Sequence, residues 1–365
     1  MSIAFDTIPA SIRKPGAYFE FNTSLAVRSL PTNAQSICLI VPLGAGATLA
    51  ANVPTQVYTA AEAKTLAGAV AAEMVDAAIK AYRYVAISIV GVVVQGDAEP
   101  DIAPALDATA LGGFTILVPA WFSATAMTAL RTHITTYTDS IEQQSIIGVG
   151  AVVSTLSSST ALAAALNAGA ISVALLPGTT STARQVAAAY AAVIASEEDP
   201  ARPLNTLVLN GINAPAINSR LGRTEQETAL ANGVTPLEVA AGDVVQIVRA
   251  ISTYTKSAAG ADDESMLDLT TMRTFYYVRT ACRTRIRLRY PRSKLSSKTP
   301  PAVRGELLDV LKKLEELEIV EEVDANAPGL VVERSTQSAS RLNSSIPADV
   351  VNGLHVFAGR IDLIL

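Results

Sequence analysis

Cysteine and histidine are almost missing from this chain: Cys38, Cys282, His133 and His355 are the complete set in 365 residues. Two histidines and two scattered thiols give no ligand cluster of the composition that transition metals take, so neither metal nor other cofactor is expected. The cysteines read as small buried hydrophobes of a reducing compartment. Long apolar runs are missing too. A membrane helix needs about 20 apolar residues, and the longest run, Val85 to Val94, is half that. Residues 143 to 183 carry no charge, but Ser157–Thr160, Asn167–Gly169 and Gly178–Thr182 break them up. No direct membrane insertion is expected, and Met1–Pro9 lack the basic start and apolar core of a secretory leader. Positive charge is in short supply overall: the net charge is −5 and the pI about 5.3, which argues against nucleic acid as the partner of the whole molecule.

What cation there is lies concentrated. Arg273, Arg279, Arg283, Arg285, Arg287, Arg289, Arg292, Lys294, Lys298 and Arg304 follow one another with no acidic residue between Asp268 and Glu306. Arg283, Arg285, Arg287 and Arg289 alternate with Thr284, Ile286 and Leu288, a two-residue period that would set four guanidinium groups on one face of a strand. A solvated face, an acidic protein partner and nucleic acid all fit this run, the last because Phe275, Tyr276, Tyr277 and Tyr290 lie beside it. Then Leu307, Val310, Leu311, Leu314 and Leu317 line one side of an amphipathic helix over Glu306–Leu317, with Asp309, Lys312, Lys313 and Glu316 opposite. The chain closes on an apolar stretch, Leu354 to Leu365, in which Leu354, Val356 and Ala358 share one face and Ile361, Leu363 and Leu365 another. An apolar strand in this position must pair with something, because a bare edge recruits other chains.

Upstream, residues 1–35 read as an arm. Pro9, Pro15-Gly16 and Pro31 break any helix, while Ala17, Phe19 and Phe21 alternate with Tyr18, Glu20 and Asn22 as a short half-buried strand would. From Ser36 the pattern turns α/β. Apolar runs at 36–41, 85–94, 114–118, 146–153, 171–176 and 206–209 read as buried strands of a mainly parallel sheet with flanking helices. One helix carries Met127, Leu130, Ile134, Tyr137 and Ile141 behind a Ser123 cap; another carries Val186, Ala189, Tyr190 and Val193 behind Ser181 or Thr182. Gln95–Gly113 reads as a connector, 210–242 as loop-rich, 244–253 as a further strand, and 255–264 as a hinge.

Two stretches could carry chemistry. Gly178-Thr179-Thr180-Ser181-Thr182-Ala183 ends a strand and opens a helix, where a serine nucleophile could sit. That nucleophile needs an imidazole base and an orienting carboxylate, and His133 is the one core histidine; helix capping is the plainer reading. Gly44-Ala45-Gly46 follows a strand but lacks the third glycine of a dinucleotide loop and the Lys-Ser/Thr of a phosphate loop.

Several motifs, in order, resemble those of Mu-like contractile tail sheath proteins. They are Ile8-Pro9 through Pro15-Gly16-Ala17-Tyr18-Phe19-Glu20-Phe21, Glu198-Asp199-Pro200-Ala201-Arg202-Pro203-Leu204, Asn232-Gly233-Val234-Thr235-Pro236 and Arg249-Ala250-Ile251-Ser252-Thr253-Tyr254. Tyr277-Val278-Arg279, Tyr290-Pro291-Arg292-Ser293-Lys294-Leu295 and Val350-Val351-Asn352-Gly353-Leu354-His355-Val356 complete the series. The resemblance implies a structural polymer without catalytic residues: six-fold rings stacked around a tail tube, in partnership with copies of itself, the tube protein, and baseplate and tail terminator proteins. It implies assembly in a host bacterial cytoplasm and residence in a virion tail or tailocin, with contraction driving the tube through a bacterial envelope. It also implies subunits linked by arms that add strands to one another's sheets, and a tube grip in the C-terminal region. Relatives that carry an extra outward domain place it after a strand like Val85–Val94; here the chain passes almost directly to Phe114–Val118, so a slim sheath is expected.

The expected organisation is an arm over 1–35, an α/β core over 36–255 (subtilisin-like in shape only), a C-terminal α+β domain over 256–350, and an arm strand over 351–365. Tyr18, Phe19, Phe21, Leu354, Val356, Ile361 and Leu363 are the candidate inter-subunit residues. Lys312, Lys313, Arg283, Arg285 and Arg287 are the candidate tube contacts. The rival functions are a serine hydrolase centred on Ser181 and a nucleic-acid-binding module using Arg273–Arg304.

Overall fold

The computed structural model describes residues 30–96 and 98–362. An eight-stranded sheet forms its centre. β1 (Ser36–Pro42) is flanked by β3 (Ala86–Val92) on one side and β4 (Ile116–Pro119) on the other, both parallel to it, with Ile37 opposite both Ile87 and Ile116. Beyond β4 come β5 (Ile147–Val152), β6 (Ile171–Leu175) and β7 (Thr235–Ala240), again parallel. Antiparallel β2 (Thr55–Val57) and β8 (Val244–Ile247) close the two edges. The inner strands are apolar almost throughout because helices cover both of their faces.

On one face α2 (Ala69–Ala81) packs against α6 (Ala183–Ser196) across β1. Both helices are alanine-rich, and small side chains allow helices to approach closely. Every residue from Val186 to Ala195 is buried in consequence. Thr182 caps α6, accepting from the Gln185 amide. On the other face α3 (Ala103–Thr109), α4 (Ala124–Tyr137) and α5 (Leu156–Leu166) form a row. Ser123 caps α4 by accepting from the Ala126 amide.

Residues 206–209 do not form a strand; Val208 makes a single bridge to Gln246. The stretch 210–242 holds α7 (Arg223–Ala231) and β7, hidden in the sequence by the glycines and prolines around them. Two earlier elements, β2 and α1 (Ala60–Ala67), precede α2 without having been foreseen. Ile141 lies beyond the end of α4 and is exposed. Two of the motifs named above, those around Gly233 and Arg249, hold backbone and side chains of the core in place. Gly233 has φ +72°, and a Cβ there would come within 3.0 Å of the Thr253 backbone. Arg249 grips Asp268 with two hydrogen bonds of 2.8 and 2.7 Å.

Past a short bridge between Lys256 and Asp262, a second core gathers around Tyr277, Val278, Ala281, Leu307, Leu311 and Leu314. It lies between α8 (Leu269–Arg289) and α9 (Thr299–Glu316). The hairpin of β10 (Val331–Arg334) and β11 (Leu342–Ser345) packs on α9, and β12 (Asp349–Val350) pairs with β9 (Val320–Glu321).

The arginine run corrects the sequence reading: Arg283 to Arg289 lie on the last turns of a 21-residue helix, not on a strand. The seven residues from Arg283 to Arg289 alternate by chance. Over the full helix the buried positions Thr270, Arg273, Thr274, Tyr277, Val278, Ala281 and Arg285 recur every three or four residues, and arginine is a good helix former.

Candidate intersubunit surface

The last described stretch, 351–362, has no regular secondary structure. Its inner half runs with alternating faces: Val351, Gly353 and His355 turn inward while Leu354 and Val356 stay out. Leu354 is 80% exposed, Val356 79%, Phe357 87% and Ile361 99%. Of the strand expected over 354–365, the described part, 354–362, is not a strand, since it has no ladder to join among the described residues. Tyr18, Phe19, Phe21 and Leu363 lie outside the described residues.

Two features of the C-terminal region could receive an extended segment. The β10–β11 hairpin is a two-stranded sheet, each strand having one neighbour among the described residues. Beside it a groove of about 780 Å³ opens between α8, α9 and the hairpin, lined by Phe275, Ile286, Tyr290, Leu307, Leu342 and Ile346 among others. Cys282 lies in its wall, its thiol pushed up to about 11 by burial, so it behaves as a small hydrophobe.

The basic run faces inward more than outward. Arg273 is buried, donates to the Glu197 carbonyl, and has its pKa lowered to about 10 by burial, against the pull of Glu197 and Asp199. Arg279 donates to the carbonyls of Thr138 at 2.7 Å and Gln144 at 2.5 Å and lies over the Tyr276 ring. Arg283 reaches the Gln143 carbonyl at 3.3 Å. Arg304 closes on the carbonyls of Leu330 and Ala327. Arg285, 4% exposed, lies within hydrogen-bond reach of Glu306 and Asp309 on α9. Its expected role as a tube contact is corrected: this side chain is enclosed within its own subunit. Arg287, Arg292, Lys294 and Lys298 remain exposed.

On α9, Lys312 pairs with Asp324 at 2.7 Å, and Lys313 with Asp309 at 3.4 Å. Lys313 thus shares an acceptor with Arg285, a connection invisible in the sequence because it depends on how α8 lies across α9.

Ser181 is buried, and its Oγ accepts from the Asn213 amide at 3.0 Å. His133 is instead 3.4 Å from Thr109 Oγ1 and 3.6 Å from Asp107, and His355 meets Asn205 and Asp268. No hydrogen bond among the described residues joins Ser181 to an imidazole. The Gly44 amide donates to the Ala67 carbonyl at 2.8 Å and is not free to cradle a phosphate. Among the described residues no group of three or more His, Cys, Asp or Glu is placed to hold a metal. Likewise no helix there is long and apolar enough to cross a membrane.

Comparison with known proteins gives matches along most of this architecture. Residues 96–253 match the family model for the phage tail sheath protein central domain, and residues 261–364 that for the phage tail sheath C-terminal domain. A Mu-like prophage tail sheath protein of Haemophilus influenzae is 36% identical over 192 residues, 49% of this chain and 39% of that protein. The match thus spans about two fifths of that curated relative. Among solved structures, a sheath tail protein of Desulfitobacterium hafniense superposes with a TM-score of 0.66 at 10% identity, covering 93% of this chain and 97% of the other. The helical sheath of the anti-feeding prophage in its contracted state gives 0.61 at 15% identity, covering 97% and 99%. At such identities the structural likeness speaks for the fold.

Proposed function

The chain belongs to the phage tail sheath family, and from that premise we propose that it is the polymerising subunit of a contractile sheath. Copies stack as six-fold rings around a tail tube, hold one another by exchanged arms, and contract to drive the tube through a bacterial envelope. The observation that carries this reading is the apolar tail. Leu354, Val356, Phe357 and Ile361 are exposed on a segment with no strand partner among the described residues, within a molecule that presents a hairpin of two strands there and an apolar groove. A two-stranded hairpin is marginal by itself and gains from further strands. Strand addition supplies main-chain hydrogen bonds while alternate side chains fill pockets. The tail of one subunit, with the Tyr18–Phe21 segment of another, would complete the hairpin of a third surface of the same kind.

The tube grip falls to the exposed cations of the C-terminal region, Arg287 and Lys312 foremost, facing acidic groups of the tube protein. Single exposed pairs contribute about 0–1 kcal/mol, but repetition along a polymer makes attachment firm and still releasable. Baseplate and tail terminator proteins would meet the two ends of the polymer. The stretch after β3, in which α3 is the one described element before β4, fits a slim sheath without an outward domain. The nucleic-acid reading loses ground because six of the ten cations, Arg273, Arg279, Arg283, Arg285, Arg289 and Arg304, bond within the chain. Negative-stain microscopy of the purified protein tests the proposal. Tubes or stacked rings are expected from the full chain, and folded monomers by circular dichroism from a variant lacking 354–365. Tubes from the truncated chain would refute the linking role of the tail.

A further inference from the structure

The sequence Glu198-Asp199-Pro200-Ala201-Arg202-Pro203-Leu204 touches neither the groove nor the hairpin, yet both ends of the described chain come to it. On the entry side, Asn33 Nδ2 donates to the Glu198 carbonyl at 2.7 Å. Two residues earlier, the Pro31 carbonyl accepts from Tyr277 Oη of α8 at 2.8 Å. Arg273 of the same helix donates to the neighbouring Glu197 carbonyl. On the exit side, Gly353 lies so close to Pro203 that a Cβ would come within 2.6 Å of the proline Cγ. Next to it, His355 Nδ1 lies 3.0 Å from Asn205 Nδ2, and its Nε2 lies 3.4 Å from Asp268 Oδ1. An Asn205 amide that donates to Nδ1 pairs with the imidazole tautomer whose proton is on Nε2, the nitrogen that faces Asp268. Asp268 is itself held by Arg249 and stands at the N-cap position of α8.

The turn between these two contacts is stiff. Glu197 Oε1 accepts from the Asp199 amide at 3.2 Å, Asp199 Oδ1 accepts from the Ala201 amide at 3.0 Å, and Pro200, Ala201 and Leu204 are buried. Side chains that bond their own backbone two residues on fix a turn in this manner. Outside the contacts, the tail from Val356 onward is exposed at every described residue.

We propose that the Glu197–Asn205 turn, together with the first turns of α8, is the common anchor of both chain ends and sets where each exchanging arm begins. Asn33 and Tyr277 are positioning residues for the N-terminal arm, Asn205 and His355 for the C-terminal arm. The proposal rests on the arm-exchange reading for its purpose, though the anchor itself is a property of the single subunit. Its consequence is metric. With the clasp shut, the ten residues 356–365 reach roughly 36 Å at most; releasing 351–355 adds up to about 18 Å. A sheath whose neighbours are tied by arms of fixed length needs that length defined, and a rigid turn that also touches α8 ties it to the body that carries the hairpin.

Limited proteolysis of the unassembled subunit with a protease of broad specificity, read by the masses of the fragments, tests this without requiring polymers. His355→Ala should speed cleavage within 351–355 tenfold or more and leave 30–35 unchanged. His355→Asn, which returns an acceptor at the Nδ1 position, should restore most of the resistance. Asp199→Ala removes a side-chain hydrogen bond and no buried apolar surface; it should speed cleavage in both 30–35 and 351–355 while the melting temperature stays within a few degrees. If Asp199→Ala leaves either end as resistant as in the wild type, the turn is not a common anchor. If His355→Asn is cleaved like His355→Ala, the Asn205 contact is not the clasp. Microscopy of the same variants reports on purpose: tubes of irregular spacing from His355→Ala are expected, and tubes identical to wild type would overturn the positioning role. A wild type that forms no tubes would sink the arm-exchange reading and leave the cleavage result standing.

Discussion

The Arg285 guanidinium and the Asp309 carboxylate meet at 2.5 Å between α8 and α9, with Glu306 3.0 Å from the same nitrogen. Burial works against the charge on both groups. The hydrogen bonds that Arg285 donates to Asp309 and Glu306 nevertheless leave the arginine pKa raised, and Arg285 and Lys313 leave that of Asp309 lowered. The contact joins the two helices of the second core, with the guanidinium enclosed and both carboxylates partly open to water.

Removing the arginine leaves two carboxylates facing each other there. Arg285→Ala should lower the stability of the C-terminal region by on the order of 2–4 kcal/mol, read as a shift in denaturant midpoint. Arg285→Lys should recover part of the loss, since one ammonium cannot spread over both acceptors as a guanidinium does. Asp309 has a depressed pKa, so its contribution is complete above its ordinary value of 3.8 and is lost as pH falls through the lower folded value. The gap between wild type and Arg285→Ala should therefore narrow in acid; a gap constant down to pH 2 would contradict the ion pair.

Gly233→Ala should be costly. The residue has φ +72°, and the added Cβ would come within 3.0 Å of the Thr253 backbone, which cannot move aside as a side-chain tip could. Backbone strain and the close contact together give a loss of about 2–4 kcal/mol, measured by thermal melting. A loss below 1 kcal/mol would show that the Ala229–Pro236 turn is softer than its geometry implies.

His133 supplies a pH prediction. Burial holds its pKa below the ordinary 6.5, opposed by the smaller pull of Asp107, and His355 is lowered likewise by burial, against Asp268. A histidine kept neutral in the folded state contributes fully above 6.5, and its contribution is lost as pH falls toward the folded value. Facing His133 are Asp107, Thr109 and Tyr137. The melting temperature should drop between pH 7 and pH 5, with a shallower drop in His133→Leu and the remaining slope owed in part to His355. Equal slopes in the two proteins would remove His133 from the account.

Lys312→Glu and Arg287→Glu should weaken sedimentation of the sheath with preformed tubes more than they weaken sheath self-assembly, and added salt should mimic them. Lys313→Glu is a poorer probe, because it would set a second negative charge beside Asp309 and disturb the Arg285 network. Normal decoration of tubes by both variants at low and high salt would move the grip elsewhere.

Much of the architecture was legible in the residues. Runs such as Ser36–Val41 and Ile171–Leu176 are continuous apolar strands because helices cover both faces, and burial on both sides leaves a plain mark in a sequence. Ser123 and Thr182 announced their helices because a cap is a local interaction. The exposed alternation of Leu354 and Val356 likewise needs only the period of an extended chain. What escaped were the contacts made at long range. Whether Arg283–Arg289 is strand or helix was decided by a stripe of burial over 21 residues, not by the seven that alternate. Whether Arg285 meets the tube or its own subunit was decided by the lie of α8 across α9. That residues 33 and 355 both come to rest on the turn at 197–205 was decided by the fold alone. The sequence determines which residues must leave water and how each segment repeats; only the packed chain decides which charge meets which, because an ion pair is chosen by distances that no local pattern contains.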